Sequence, residues 1–312
     1  MRVLIHAGIH RTGTTNLQIH LSANRDGLAA QGVAYPGEAR DHQALAWAIL
    51  RREAGAPEAR ALVESAAPAG TVLLSGEDFA LHEDLGWLRD LARAHDVRAV
   101  LYLRRQDDWL NSWYNQHVKW PFNRAKSRMS PGRFLKAIDD FPWIDFDRLL
   151  DRWARALGED RVAPAVVEPG QVEDVTADFC ARAGVDMAPL TRPEARSNDS
   201  LPPHVLEIAR HLGLFEMSTP ERIRVNEALR KGLAAHAGPA RTVFSPAQRN
   251  AVLDRFEASN RAAARRWFGR DALFRAPRPG PDEPWARLPE IDRDTLLRDW
   301  IAPVVRELAR RG

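Results

Sequence analysis

The 312-residue sequence has a single cysteine, Cys180. One thiol rules out an intrachain disulfide framework and any cysteine-built metal site. Its setting, ADFCARAG, has a helical pattern, so a buried structural thiol is expected. Lysine is almost as scarce: among 45 basic residues only Lys119, Lys126, Lys136 and Lys231 are lysines. Long blocks of like charge are missing and the formal net charge is only +3, so no nucleic-acid-binding arm is indicated. No apolar run approaches the roughly 18 residues that a membrane helix needs, so no membrane span is expected. The first residues lack a charged region followed by an apolar stretch and a small-residue cleavage site, and a cytoplasmic protein is expected. There is no internal repeat. What remains is a chain that is 45% hydrophobic and long enough for a substantial core.

Arg2–His6 (RVLIH), Thr71–Leu74 (TVLL) and Val97–Leu103 (VRAVLYL) read as buried strands, with shorter candidates at Gly32–Pro36 and Arg161–Val167. Helical patterns separate them: Thr14 to about Ala30, Gln43–Arg52, Pro57–Ala67, Asp84–His95 and Asp107–Trp120. Such alternation implies right-handed crossovers and a parallel sheet covered on both faces. Pro121–Pro131 reads as a mobile basic loop. Later segments are helical at Val175–Ala183, Leu201–His211, Pro220–His236, Pro246–Phe268 and Arg293–Arg310, with proline-rich Arg275–Pro289 extended over the surface.

Ligands of parallel sheets bind at the carboxyl ends of the strands. Here those ends read HAGIHRTG, SGEDF and RRQDD, each carrying charge or glycine. The first contains Gly8-Ile9-His10-Arg11-Thr12-Gly13-Thr14-Thr15, close to the phosphate loop G-x-x-x-x-G-K-[ST]. Thr14 occupies the lysine position, and the nearest cation is Arg11. A strand, a glycine turn and a helix start make an anion site, because the first helical amides are unpaired and the helix dipole adds to their pull. The donors would be the amides of about Gly13 to Asn16 and the hydroxyls of Thr12, Thr14 and Thr15. The missing lysine argues against triphosphate hydrolysis, where it reaches the β- and γ-phosphates. Asp78 is the candidate for the metal-holding aspartate that such hydrolysis needs. The predicted fold class is α/β: a P-loop-type parallel sheet flanked by helices, with a mostly helical C-terminal part. Residues 1–170 would form the core and 171–312 the helical part, packed as one continuous domain.

HAGIHRTGTTNLQ resembles the 5′-phosphosulfate loop of sulfotransferases that use 3′-phosphoadenosine 5′-phosphosulfate (PAPS), which in many bacterial members reads H-K-T-G-T-T followed by L-Q. Arg11 replaces the lysine, exchanging a point charge for a planar fork. LYLRRQDDWLNSWYNQHVK resembles the 3′-phosphate motif of the same family, an arginine at a strand end and a serine eight residues later, here Arg104 and Ser112. Arg105 is a weaker candidate for that role. DFCARAGV, SNDSLP and SPAQRNAVLDRFEASNRAAARRWFGRDALF are looser likenesses. Arg230-Lys231-Gly232 is like the R-K-G of the cytosolic enzymes but lacks the following Gly-Asp-Trp, and it reads as helix. The resemblance implies that Gly8, Arg11, Thr12, Gly13, Thr14, Thr15 and Asn16 cradle the 5′-phosphosulfate while Arg104 and Ser112 hold the 3′-phosphate. It implies PAPS as donor, 3′,5′-adenosine bisphosphate as product, no metal, and a small-molecule or glycan acceptor. Nothing in the pattern specifies an oligomeric state.

Sulfuryl transfer needs a base for the acceptor proton and a cation near the bridging oxygen. Arg11 is the expected cation. Glu77, at the end of the second strong strand, is the expected base, provided that partial burial raises its pKa. Asp78 beside it is expected to point away. His10 and His6 flank the loop glycine and are alternative bases. Trp109, Trp113 and Trp120 share a helix face, as a sugar platform or as core. Arg124, Lys126 and Arg128 would meet an anionic glycan or remain solvated. Two other function classes fit the loop: a P-loop kinase or triphosphatase acting on a small molecule, and a catalytically inactive nucleotide-binding module.

Overall fold

The computed structural model describes residues 1–193, 200–212, 215–286 and 292–310. Asn198 of the SNDSLP segment and the end of the 275–289 stretch lie outside the described residues. The chain divides into two compact units, both assembled from separate stretches: Met1–Arg105, Pro142–Ser197 and Phe256–Ala276 in the first, Gln106–Phe141, Asn198–Arg255 and Pro277–Gly312 in the second. The division is interleaved, not a single cut near residue 170.

The first unit holds a five-stranded parallel sheet in the order β2-β3-β1-β4-β5. The strands are β1 (Arg2–His6), β2 (Val33–Ala34), β3 (Thr71–Ser75), β4 (Asp96–Leu103) and β5 (Val162–Val166). Central β1 is buried from Val3 to His6, as an apolar run covered on both faces should be. By the two-residue period Leu4 points to one face, where it clusters with Leu17, Leu21, Leu73, Val100, Tyr102 and Phe179. The helices Thr14–Ala23 and Val175–Ala183 supply that layer. Val3 and Ile5 are equally buried.

The helix Phe146–Leu157 illustrates how sequence makes such a layer. Phe146, Leu149, Leu150, Trp153 and Leu157 recur at helical spacing and are buried. Asp145 caps its start by accepting from the Arg148 amide, 3.3 Å away, and Gly158 ends it in a left-handed conformation, φ 98°.

The structure shortens two expected elements. The helix predicted from Thr14 to Ala30 breaks at Asn24, whose side-chain amide donates to the His20 and Thr191 carbonyls, at 2.8 and 2.9 Å, and accepts from the Thr191 amide, at 2.8 Å. Such side-chain bonds compete with the helical ladder. The strand predicted at Gly32–Pro36 contracts to the two-residue edge strand β2.

In the second unit, the predicted loop Pro121–Pro131 contains a helical turn, Arg124–Ser127, capped by Asn123 accepting from the Lys126 amide at 3.0 Å. Arg124 pairs with Glu216 and Lys126 with Asp140. Trp109 is wholly buried, its ring 5.5 Å from those of Trp113 and Phe141, so this part of the aromatic face is core. Gly232 lies where the helices Thr219–Gly232 and Ala302–Ala309 cross; a Cβ there would sit 2.9 Å from the backbone of Pro303 and Val304. That packing explains the glycine of Arg230-Lys231-Gly232. Among the described residues no helix is long and apolar enough to cross a membrane.

Candidate functional site

Three strand ends of the first unit, those of β1, β3 and β4, build the site. The segment after β1 continues to pair with β4, through the Ala7 amide to the Val100 carbonyl (3.0 Å) and the Ile9 amide to the Tyr102 carbonyl (3.2 Å). The chain then turns through two left-handed residues, Arg11 (φ 69°) and Gly13 (φ 87°). Glycine adopts this freely, whereas arginine pays roughly 1 kcal/mol or more. The conformation at Arg11 is held by its carbonyl, which accepts from Arg104 Nη1 at 2.7 Å, and by Thr12, whose hydroxyl donates to the Ile9 carbonyl at 2.8 Å. Alternation of left- and right-handed residues turns successive amides toward one concavity. The Thr14–Ala23 helix follows directly. Its first amides have no intrahelical acceptor, and those of Gly13, Thr14 and Thr15 donate to no other backbone carbonyl among the described residues. Gly8, Ile9, Thr12 and Thr14 are buried, and Gly13 and Asn16 are exposed.

Arg11 and Arg104 are brought together. Burial and the charge of Arg104 lower the Arg11 pKa to about 10, against the opposing influence of Glu77, so the Arg11 guanidinium stays cationic at neutral pH. Arg105, by contrast, donates to the Ala276 carbonyl at 3.2 Å. Ser112 is a buried residue of the second unit, on the helix Gln106–Lys119.

At the end of β3 the chain enters a short 3-10 turn, Glu77–Leu81, that buries both acids. Glu77 accepts from the Thr14 hydroxyl with one oxygen and from Gln18 Nε2, at 3.0 Å, with the other. The raised pKa expected of Glu77 is not found. Burial pushes it up, but the charge of His10 and the Thr14 and Gln18 hydrogen bonds outweigh burial and hold it below the usual range. A stabilised carboxylate is a weaker base, and Glu77 acts here as the anchor of the loop helix.

Asp78 does not point away. Its Oδ1 lies 2.7 Å from His10 Nε2, and its Oδ2 accepts from the indole of Trp47. For His10, burial alone would lower the pKa, but hydrogen bonding and attraction to Asp78 overcome it and the net shift is upward. The helix Gln43–Leu50 carries Trp47 and is stapled to this strand end. The Ser75 amide donates to His42 Nδ1 (3.0 Å), the Asp78 amide to Gln43 Oε1 (3.1 Å), and His82 Nε2 to the Ala46 carbonyl (2.9 Å). Sequence reasoning missed Trp47 and the His10–Asp78 pair. Gln18 was within reach, as the glutamine of the L-Q that follows the loop.

His6 lies wholly buried beneath the loop. Its Nδ1 shares a hydrogen bond with Ser75 Oγ at 2.8 Å, and its Nε2 has no partner among the described residues. A Cβ on Gly8 would come within 2.9 Å of that Nε2 and 3.1 Å of the Tyr102 Cβ, so glycine is needed there. Burial holds the His6 pKa down at about 4, against the pull of Glu77. The unfolded chain therefore takes up this proton first, near pH 6.5, and His6 contributes stability above that pH that is lost as pH falls toward 4. Urea unfolding at pH 7 and pH 5 should show His6→Gln losing less stability on acidification than the parent, by about 1–2 kcal/mol. Equal losses would contradict a neutral buried imidazole.

Among the described residues no group of three or more His, Cys, Asp or Glu side chains is arranged to hold a metal. No family model matches the chain. A curated relative, an uncharacterized protein of Archaeoglobus fulgidus, is 27% identical over 180 residues, which is 57% of this chain and 47% of the relative. The chain thus spans about half the length of the curated relative it matches. A solved sulfotransferase structure from Alicyclobacillus acidocaldarius aligns with 75% of this chain and 96% of its own, at 15% identity and a TM-score of 0.44.

Proposed function

We propose that the chain is a PAPS-dependent sulfotransferase, transferring a sulfuryl group to an acceptor hydroxyl on a carbohydrate or other small molecule. The convergence of two guanidiniums, Arg11 and Arg104, on one amide-lined loop carries this reading. Like charges repel, and an anion of two or more charges relieves them. The residues fit such a group: the amides of Gly13, Thr14 and Thr15 suit the 5′ end, and Arg104 suits the 3′-phosphate.

Bound PAPS would supply the sulfuryl group and a bisphosphate leaving group. Arg11 offsets negative charge near the bridging oxygen. Glu77, through Thr14 and Gln18, keeps the first helical turn in place. His10 takes the acceptor's proton. With Nε2–H directed at Asp78, the tautomer puts the basic lone pair on Nδ1, and Asp78 stabilises the imidazolium that forms. The upward pKa shift of His10 suits a base working near neutral pH.

A kinase or triphosphatase reading has less support. The carboxylate of Asp78, its candidate metal ligand, is engaged by His10 and Trp47, and Thr14 stands where the lysine would be. The substitution of arginine for lysine at residue 11 favours, as a second reading, a module that binds without turnover. Radiolabelled PAPS, offered with glycan, phenol and amine acceptors, separates the two. Label on an acceptor supports the enzyme; bisphosphate binding with no transfer to any acceptor leaves the module.

A further inference from the structure

The first unit carries a second cationic feature, in the cleft between the helices Gly86–Ala94 and Phe146–Leu157. The cleft measures about 510 Å³, and four arginines line it: Arg89, Arg148, Arg152 and Arg155. The last three recur at i, i+4 and i+7, on one face of one helix, an arrangement in which like charges oppose each other. Carboxylates offset part of this charge, and the charge of Glu83 also acts on Arg152. Asp151 pairs with Arg155 at 2.8 Å and is shared with Arg266 at 3.0 Å, while Asp84 sits 4.0 Å from Arg89. Among the described residues neither Arg148 nor Arg152 forms an ion pair. Arg152 is also held in place, its Nη2 donating to the Ala80 carbonyl at 3.3 Å, while its buried Nε has no partner. A buried guanidinium N–H without an acceptor is costly, and an oxyanion is the acceptor its planar fork fits best.

We propose that this cleft binds an organic sulfate or phosphate ester, with Arg148 and Arg152 on the oxyanion. The volume lies within the range of small-molecule pockets and exceeds what a bare anion fills. Glu83 and Asp84, also in the lining, offer acceptors to hydroxyl groups, which points to a polyhydroxylated body such as a sugar.

Titration calorimetry with the whole chain tests this, using glucose 6-sulfate, glucose 6-phosphate and inorganic sulfate as separate probes. At least one sugar ester should bind with a Kd of about 1 mM or tighter, and more tightly than inorganic sulfate. Arg148→Gln and Arg152→Gln should each weaken it by about 10-fold, as for the loss of a charge-assisted hydrogen bond. Arg148 is exposed, so its variant should fold even if the Arg152 variant does not. Arg11→Ala should leave ester binding unchanged. Whichever ester binds more tightly identifies the oxyanion. No saturable ester binding, equal binding of inorganic sulfate, or ester binding lost in Arg11→Ala but kept in Arg148→Gln would overturn the proposal.

Discussion

Replacing His10 by glutamine is expected to reduce sulfuryl transfer by about 10²–10⁴-fold while leaving bisphosphate affinity unchanged. Glutamine retains a donor toward Asp78 but offers no basic nitrogen. The size of the effect follows from the role: a positioned base acts only on the way to the transition state, so its loss appears in kcat and not in ground-state binding. Steady-state kinetics with radiolabelled PAPS, paired with calorimetry on the same variant, gives both numbers. Glu77→Gln is the control. It should destabilise the protein, because Glu77 holds Thr14 and Gln18 from a buried position. If instead Glu77→Gln folds normally and loses as much turnover as the parent does on losing His10, the base is the carboxylate.

Arg104→Ala should weaken binding of 3′,5′-adenosine bisphosphate by about 1.5–3 kcal/mol, roughly 10–150-fold in Kd. Two losses combine. The proposed contact to the 3′-phosphate goes, and so does the 2.7 Å hydrogen bond that steadies the left-handed Arg11 carbonyl. Arg104→Lys should restore only part of the affinity, since an ammonium keeps the charge but not the fork. An affinity unchanged in Arg104→Ala would remove this arginine from the site.

The parallel sheet was legible because each strong strand is a short apolar run ended by charge or glycine, a pattern written within a few residues. The loop was legible for the same reason: Gly8, Gly13 and the threonines are local to one turn. Partners distant in sequence were not. Asp78 meets His10 across 68 residues and Trp47 across 31, and only the folded sheet brings these segments together. The direction of the Glu77 shift was hidden too, because burial alone predicts the opposite sign and what opposes it, the charge of His10 and then the Thr14 and Gln18 hydrogen bonds, comes from segments distant in sequence. The break at Asn24 depends on Thr191, 167 residues away. Helical periodicity continues through Asn24, so pattern alone runs the helix on to Ala30.

Loop and arginines are proposed to form an anion site for a nucleotide carrying a separate 3′-phosphate, one that works without a metal. Calorimetry in the presence of a chelator tests it most directly, comparing 3′,5′-adenosine bisphosphate with ATP. The bisphosphate should bind at micromolar levels or tighter, and ATP much more weakly. Binding of ATP that requires Mg²⁺, with no preference for the bisphosphate, would contradict it.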